Sequence, residues 1–119
     1  VLESDEHNAR AWYIKADCKE QQGDSVQAIA YYNNAILYED NEPLFYTRRG
    51  LLLARSGKFS AALSDLNNAV ALDPRKGETM YYRGMVKQAA GQSPCADLHA
   101  SLSLGYQPAQ QAVQNFCSK

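Results

Sequence analysis

The sequence lacks any apolar run approaching the roughly 20 residues that a helix needs to cross a bilayer, so this stretch of chain is not expected to insert into a membrane. No leader pattern opens it, although a chain that starts at Val1 rather than Met carries little information on compartment. It also lacks charge of one sign, since 12 Lys and Arg stand against 13 Asp and Glu for a net charge of −1. Broad binding to nucleic acid or to an anionic lipid surface needs a basic face, and neither partner is expected. Cysteine is sparse. Cys18, Cys95 and Cys117 form no CxxC, which gives a zinc ribbon or a thioredoxin-like dithiol no support. The two histidines, His7 and His99, are far apart and have no ligand-spaced partners, so no metal and no cofactor is expected. There is no G-x4-G-K-[ST] and no G-x-G-x-x-G. Ser60, Ser64, Asp97 and His99 read as solvated helical positions and not as a nucleophile–base–acid set, so no catalytic residue is assigned and the chain does not read as an enzyme.

What is present is a folding composition and a repeat. With 45% apolar and 21% charged residues in 119, the chain suits one domain with a modest core. Gly23, Gly57 and Gly91 are spaced 34 apart. Trp12, Tyr46 and Met80 keep the same spacing, and so do Ala16, Gly50 and Gly84. Ala28 pairs with Ala62, Tyr32 with Leu66, Ala35 with Ala69 and Ile36 with Val70. In the third copy Asp97-Leu98 fall on Asp65-Leu66 at an offset of 32, which indicates two residues lost just after Gly91, in a turn.

Each copy predicts two helices. The first run over 9–22, 43–56 and 77–90, with a large apolar residue followed four positions later by a small one on the same face. The small residue permits a close helix approach. The glycines end these helices where a left-handed residue is wanted. The second helices are predicted over 25–38, 59–72 and 94–104. Asp24 and Ser93 are candidate N-caps, Pro94 suits a first helical position, and Asp73-Pro74 stops the second pair.

These residues resemble the tetratricopeptide repeat (TPR) family. The match runs from Trp12 through Ala16, Gly23-Asp24, Ala28-Ile29, Tyr31-Tyr32 and Ala35-Ile36, and again from Tyr46 through Gly50, Gly57, Phe59, Ala62, Leu66 and Ala69-Val70 to Leu72-Asp73-Pro74. It covers about residues 9–107. Lys15 and Lys19 depart from it, standing where the first repeat would usually be apolar, and the third repeat is degenerate. The resemblance implies an all-α fold, a right-handed α-solenoid of antiparallel helix pairs. Its parts are residues 1–8 as the tail of a preceding repeat or a linker, 9–42, 43–76 and 77–107 as three repeats with the last shortened, and 108–119 as a cap. Residues 1–8 align with 69–76, which fits an excised piece of a longer array as well as an ordinary N-terminal extension. Pro108–Cys117 predicts a separate helix whose stripe of Ala109, Ala112, Val113 and Phe116 seals the stack, so the array is expected to end here.

Cys95 and Cys117 flank a short connection, Gly105-Tyr106-Gln107, and should lie opposite one another on antiparallel helices. Two outcomes stay open. A disulfide would close a loop of about 23 residues, contribute roughly 3 kcal/mol in the chain-entropy model, and imply an oxidising, periplasmic or otherwise extracytoplasmic compartment. Two reduced, buried thiols would fit the cytoplasm. Similar C-terminal helices with paired cysteines occur in repeat proteins of this family from some bacteria. Cys18 reads as a small helix-face residue.

The chain holds eight tyrosines. Tyr32, Tyr38 and Tyr46 read as core positions. In the family the first helices line a concave groove, which implies Arg10, Tyr13, Ile14, Asp17 and Gln21 in the first repeat. It implies Leu44, Thr47, Arg48, Leu51 and Arg55 in the second, and Glu78, Tyr81, Tyr82, Met85 and Gln88 in the third. The best candidates for partner contact are Tyr13, Asp17, Thr47, Arg48, Leu51, Arg55, Tyr81, Tyr82 and Met85, since Tyr and Arg dominate interface energetics. The expected function is a protein-interaction scaffold that binds a peptide or partner segment, apolar with an acidic group near Arg48 and Arg55. Family members that clamp chaperone C-terminal carboxylates use Lys and Asn on the first helices. Tyr13 and Asp17 stand in the first repeat here, which disfavours that role. The alternative is an assembly module that stacks or self-associates through its N-terminal face, with Val1, Leu2 and Trp12 at the interface.

Overall fold

Three helix pairs and a final single helix follow one another along the chain, joined by turns of three to five residues. The computed structural model describes residues 7–117. In order these are α1 (Ala9–Gln21), α2 (Ser25–Tyr38), α3 (Pro43–Arg55), α4 (Phe59–Leu72), α5 (Gly77–Ala89), α6 (Cys95–Ser103) and α7 (Pro108–Cys117). Each helix packs on its sequence neighbours, and the result is an elongated stack of 56 × 26 × 20 Å. No strand occurs among the described residues. The predicted solenoid of antiparallel pairs is therefore the observed architecture. Val1, Leu2 and most of the proposed repeat tail lie outside the described residues.

The turns show why the 34-residue glycine period exists. Gly23, Gly57 and Gly91 have φ of 82°, 81° and 83°. After each, the next residue's N–H reaches back to a carbonyl five residues earlier: Asp24 to Lys19, Lys58 to Leu53 and Gln92 to Lys87, at 2.9, 2.9 and 2.8 Å. This closes the helix C-terminus with a left-handed residue. At the N-termini, Asn8 accepts from the backbone N–H of Arg10 and Ala11, Asp24 from Gln27, and Glu42 from Leu44 with Pro43 behind it. The third repeat departs from expectation. Its second helix starts at Cys95, so Pro94 is the N-cap rather than the first helical residue, and its carbonyl accepts from the Leu98 N–H at 3.0 Å. Ser93 sits one residue farther out, its Oγ accepting from the Cys95 N–H at 3.4 Å.

Ala28, Tyr32, Ala35, Ala62, Leu66, Ala69 and Leu98 form the spine of the core and are fully buried. Close approach at the small-residue position is real: a Cβ on Gly50 would meet the Ala62 carbonyl oxygen and the Asp65 Cβ at 3.1 Å. Tyr38 is not core. It ends α2, is 40% exposed, and meets the His7 ring edge-on at 5.1 Å. Tyr46 is half-buried, and its hydroxyl donates to the Asp40 carbonyl at 2.9 Å. In α7, Ala109 and Ala112 are buried while Phe116, expected on the same stripe, is 39% exposed. Cys95 and Cys117 are joined as a disulfide with Cα atoms 5.8 Å apart, which ties α7 to α6.

Asp97 is not solvated, contrary to its sequence reading. Asp65 and Asp97 are buried between the two helices of their repeats. Arg49 on α3 holds Asp65 with two bonds of 2.8 and 2.7 Å, and its third reaches back to Asn33 on α2 at 2.8 Å. Arg83 on α5 repeats this with Asp97 at 2.9 and 2.7 Å and Asn67 on α4 at 3.1 Å. Lys87 adds a contact to Asp97 at 3.0 Å. Burial alone would raise the Asp97 pKa, but the hydrogen bonds from Arg83 and Lys87 outweigh it and hold the carboxyl below the usual aspartate range. Each arginine thus fastens its own pair together and ties it to the preceding one.

Candidate functional site

Helices α3 and α5, with the start of α4, border a cleft of about 450 Å³. Leu51 and Ala54 come from α3, Phe59 from the start of α4, and Met85, Val86 and Ala89 from α5. These six make an apolar floor, and Glu20, Arg48, Arg55 and Tyr82 make a polar rim. Of the nine sequence candidates the cleft gathers Arg48, Leu51, Arg55, Tyr82 and Met85.

The other four lie elsewhere. Tyr13 packs between Tyr32 and Phe45, at ring-centroid distances of 6.0 and 5.3 Å, and fastens α1 to its neighbours. Thr47 is buried, its hydroxyl donates to the Pro43 carbonyl at 2.9 Å, and it does not line the cleft. Its offset from Arg48 by one residue, 100° around the helix, turns it into the stack. Asp17 lies beside the cleft, accepting from Gln21 at 3.0 Å and from Arg48 at 3.4 Å. Tyr81 does not line the cleft but contacts Tyr82, which does, and Tyr106, at 5.9 and 5.3 Å.

The charge balance differs from expectation. The two arginines are not unpaired, because Glu20 already lies between them. Its carboxylate accepts from Arg55, lies 3.7 Å from Arg48, and takes the Tyr32 hydroxyl at 2.6 Å. Its side chain is only 11% exposed. Burial first, and then the bond to Glu20, push the Tyr32 pKa far above that of a free phenol, so this donor stays protonated. Arg55 remains 62% exposed, and a guanidinium has five N–H donors in a planar fork, so it can hold Glu20 and still face a ligand. Glu20 was missed because its partners are 12, 28 and 35 residues away and no local spacing marks it.

At the other end of the rim, the Tyr82 hydroxyl donates to Glu78 at 3.1 Å. Burial and that bond push its pKa up to about 12. Among the described residues no group of three His, Cys, Asp or Glu could hold a metal ion, and no helix is long and apolar enough to cross a membrane. Such an arrangement offers an apolar recess, hydrogen-bond donors and acceptors, and paired charges for recognition.

Comparison with known proteins agrees with this architecture. A family model described as a tetratricopeptide repeat matches residues 1–42 and 47–92. Anaphase-promoting complex subunit 3 of Schizosaccharomyces pombe is 26% identical over 99 residues, which cover 83% of this chain and 15% of that protein. The chain thus spans less than a sixth of that relative. Among solved structures, the first repeat domain of Spaghetti (RPAP3) bound to the HSP90 peptide SRMEEVD is 24% identical with a TM-score of 0.78, covering 92% of this chain and 95% of that one. YrrB, described as a protein with an unusual peptide-binding site, is 18% identical with a TM-score of 0.83, covering 90% of this chain and 57% of that one. The Arabidopsis OM64 repeat domain is 16% identical with a TM-score of 0.81, covering 93% and 98%.

Proposed function

Because this chain belongs to the tetratricopeptide repeat family, whose helical stacks are protein–protein interaction modules, we propose that it binds a partner polypeptide segment in its groove, without catalysis. The observation that carries this reading is the cleft between α3 and α5. Its apolar floor and volume of about 450 Å³ suit apolar side chains of an extended or helical segment. Arg48 and Arg55 orient the segment from the rim. Similar stacks supply the analogy: the Spaghetti domain holds a short HSP90 peptide. An acidic segment like that peptide is not favoured by the rim here. Asp17 pairs with Arg48 on one side and Glu20 screens the arginines on the other, so the rim is close to neutral. The Cys95–Cys117 disulfide favours an oxidising compartment for this domain.

Peptides selected from a displayed random library on the folded chain test this reading. Ala89 lines the cleft and is exposed, so Ala89→Trp should cover its mouth without touching the core. The selected peptides should lose affinity by about tenfold or more in calorimetry, with an unchanged unfolding midpoint. Equal affinity for Ala89→Trp would remove the cleft from the account.

A second reading, self-association through the first repeat, draws on its exposed apolar residues. Val26 and Leu37 are 83% and 71% exposed on α2, where α4 has Ser60 and Ala71. A concentration-dependent dimer in sedimentation would favour it, and a monomer at all concentrations would exclude it.

A further inference from the structure

The third repeat carries a group that the cleft alone does not explain. Glu78 lies in the first turn of α5, and its carboxylate accepts one bond, from the Tyr82 hydroxyl. No lysine or arginine among the described residues forms an ion pair with it; it shares this with Asp24, Glu39, Asp40, Glu42 and Asp73 and differs in it from the acids of the cleft rim and the clamps, Asp17, Glu20, Asp65 and Asp97. A helix N-terminus favours a carboxylate, but that does not account for the rings assembled beside it. Tyr81 contacts Tyr82 with planes at 60° and Tyr106 with planes at 55°. Tyr106 comes from the α6–α7 turn and reaches the start of α5 because Gly77 has no side chain. A Cβ there would meet the Tyr106 Cβ at 3.1 Å.

We infer that Glu78 with Tyr81, Tyr82 and Tyr106 forms a subsite for a lysine or arginine side chain of the docked polypeptide segment. This rests on the groove reading above. Inclined aromatic faces attract a cation through the ring quadrupole, and a carboxylate among them adds a charge to pair with. An ionised carboxylate has about four lone-pair sites, and the single bond from Tyr82 leaves acceptor capacity for an incoming donor. The phenol stays protonated at neutral pH, so the carboxylate supplies the only formal charge in the group. Tyr82 also lines the cleft, which makes the two sites continuous. The cation across the cleft, Arg48, is already matched by Asp17 and Glu20. The equivalent positions to Glu78 in the other repeats are Arg10 and Leu44, so the acidic aromatic site belongs to the third repeat alone. A segment with an apolar residue for the cleft and a basic residue beside it would fit both.

The test uses the same displayed random library on the whole chain, with Glu78→Gln and Tyr106→Ala as variants. Peptides selected on the unaltered chain should combine a large apolar residue with a Lys or Arg at fixed spacing. Replacing that basic residue by Gln should weaken binding about tenfold on the unaltered chain and less than about twofold on either variant. Selected peptides that are sensitive to Ala89→Trp yet carry no basic preference, or whose basic residue matters equally on all three proteins, overturn the subsite and leave the groove standing. If no selected peptide responds to Ala89→Trp, the groove reading falls and the subsite with it.

Discussion

The first repeat and the two that follow it occupy the same backbone with opposite chemistry. In the second and third, an arginine on the first helix grips a buried aspartate on the second: Arg49 with Asp65, and Arg83 with Asp97. The first repeat has Lys15 and Tyr31 at those positions. There the lysine stands over the Trp12 ring at 4.7 Å, and Trp12 contacts Tyr31 at 5.6 Å. The inversion extends into the core. Leu66 and Leu98 are purely apolar, while their counterpart Tyr32 is equally buried but sends its hydroxyl to Glu20. The counterparts of Glu20 are Ala54 and Gln88. The later repeats therefore hold their polar contacts inside the stack. The first repeat directs its own toward the cleft, where Glu20 contacts Arg48 and Arg55.

The largest consequence of this difference concerns the clamps. Removing one partner of a buried, bidentate pair leaves the other charge uncompensated and costs about 3–5 kcal/mol. Arg49→Met should accordingly destabilise the fold by about 3 kcal/mol in urea unfolding, the low end because Arg49 keeps 22% of its side chain in solvent. It would also strand Asn33, the link to the preceding pair. A loss below about 1 kcal/mol would mean that packing carries these repeats and the clamp does not.

The clamps also show what could be read from the sequence and what could not. Helix positions and glycine turns were legible because they depend on local spacing, which the 34-residue period repeats. Arg49 and Arg83, Asn33 and Asn67, and Asp65 and Asp97 obey the same periods, 34, 34 and 32. A periodic polar residue is a signal of burial, and Asp97 could have been recognised by it. Thr47 adjoins Arg48, which lines the cleft, but is itself buried in the stack, a one-residue difference that spacing alone does not resolve. Glu20 had no periodic counterpart and no local partner, so only the folded chain brings it to Tyr32, Arg48 and Arg55. The legible part of the site is the set of first-helix positions the repeats share, occupied by different residues in each, and Glu20 comes from where the first repeat breaks the pattern.

The break at Tyr32 predicts a smaller, more specific effect. Tyr32→Phe keeps the ring and its packing but leaves Glu20, largely buried, without its 2.6 Å donor. The loss should be about 1–2 kcal/mol in urea unfolding. Arg55 would become the principal partner of Glu20, and its side-chain NMR signals should shift. A neutral substitution, with the Arg55 signals unmoved, would show that the hydroxyl is not coupled to the cleft rim.

The smallest effect is expected at Lys15, and it decides whether the first repeat is self-sufficient. Lys15 occupies the register of Arg49 and Arg83 but has no buried carboxylate to satisfy, because Tyr31 replaces the aspartate. Its contact is a cation over an indole at an exposed position, which contributes about 0.5–1 kcal/mol. Lys15→Met retains the aliphatic cover over Trp12 and removes only the charge, so urea unfolding should register a loss of no more than about 1 kcal/mol. The contrast with Arg49→Met then measures what a buried ion pair adds to a position where aromatic packing already suffices. If Lys15→Met proved as damaging as Arg49→Met, the aromatic face of the first repeat would not be holding its helix pair together, and the two halves of the stack would not differ in the way their residues indicate.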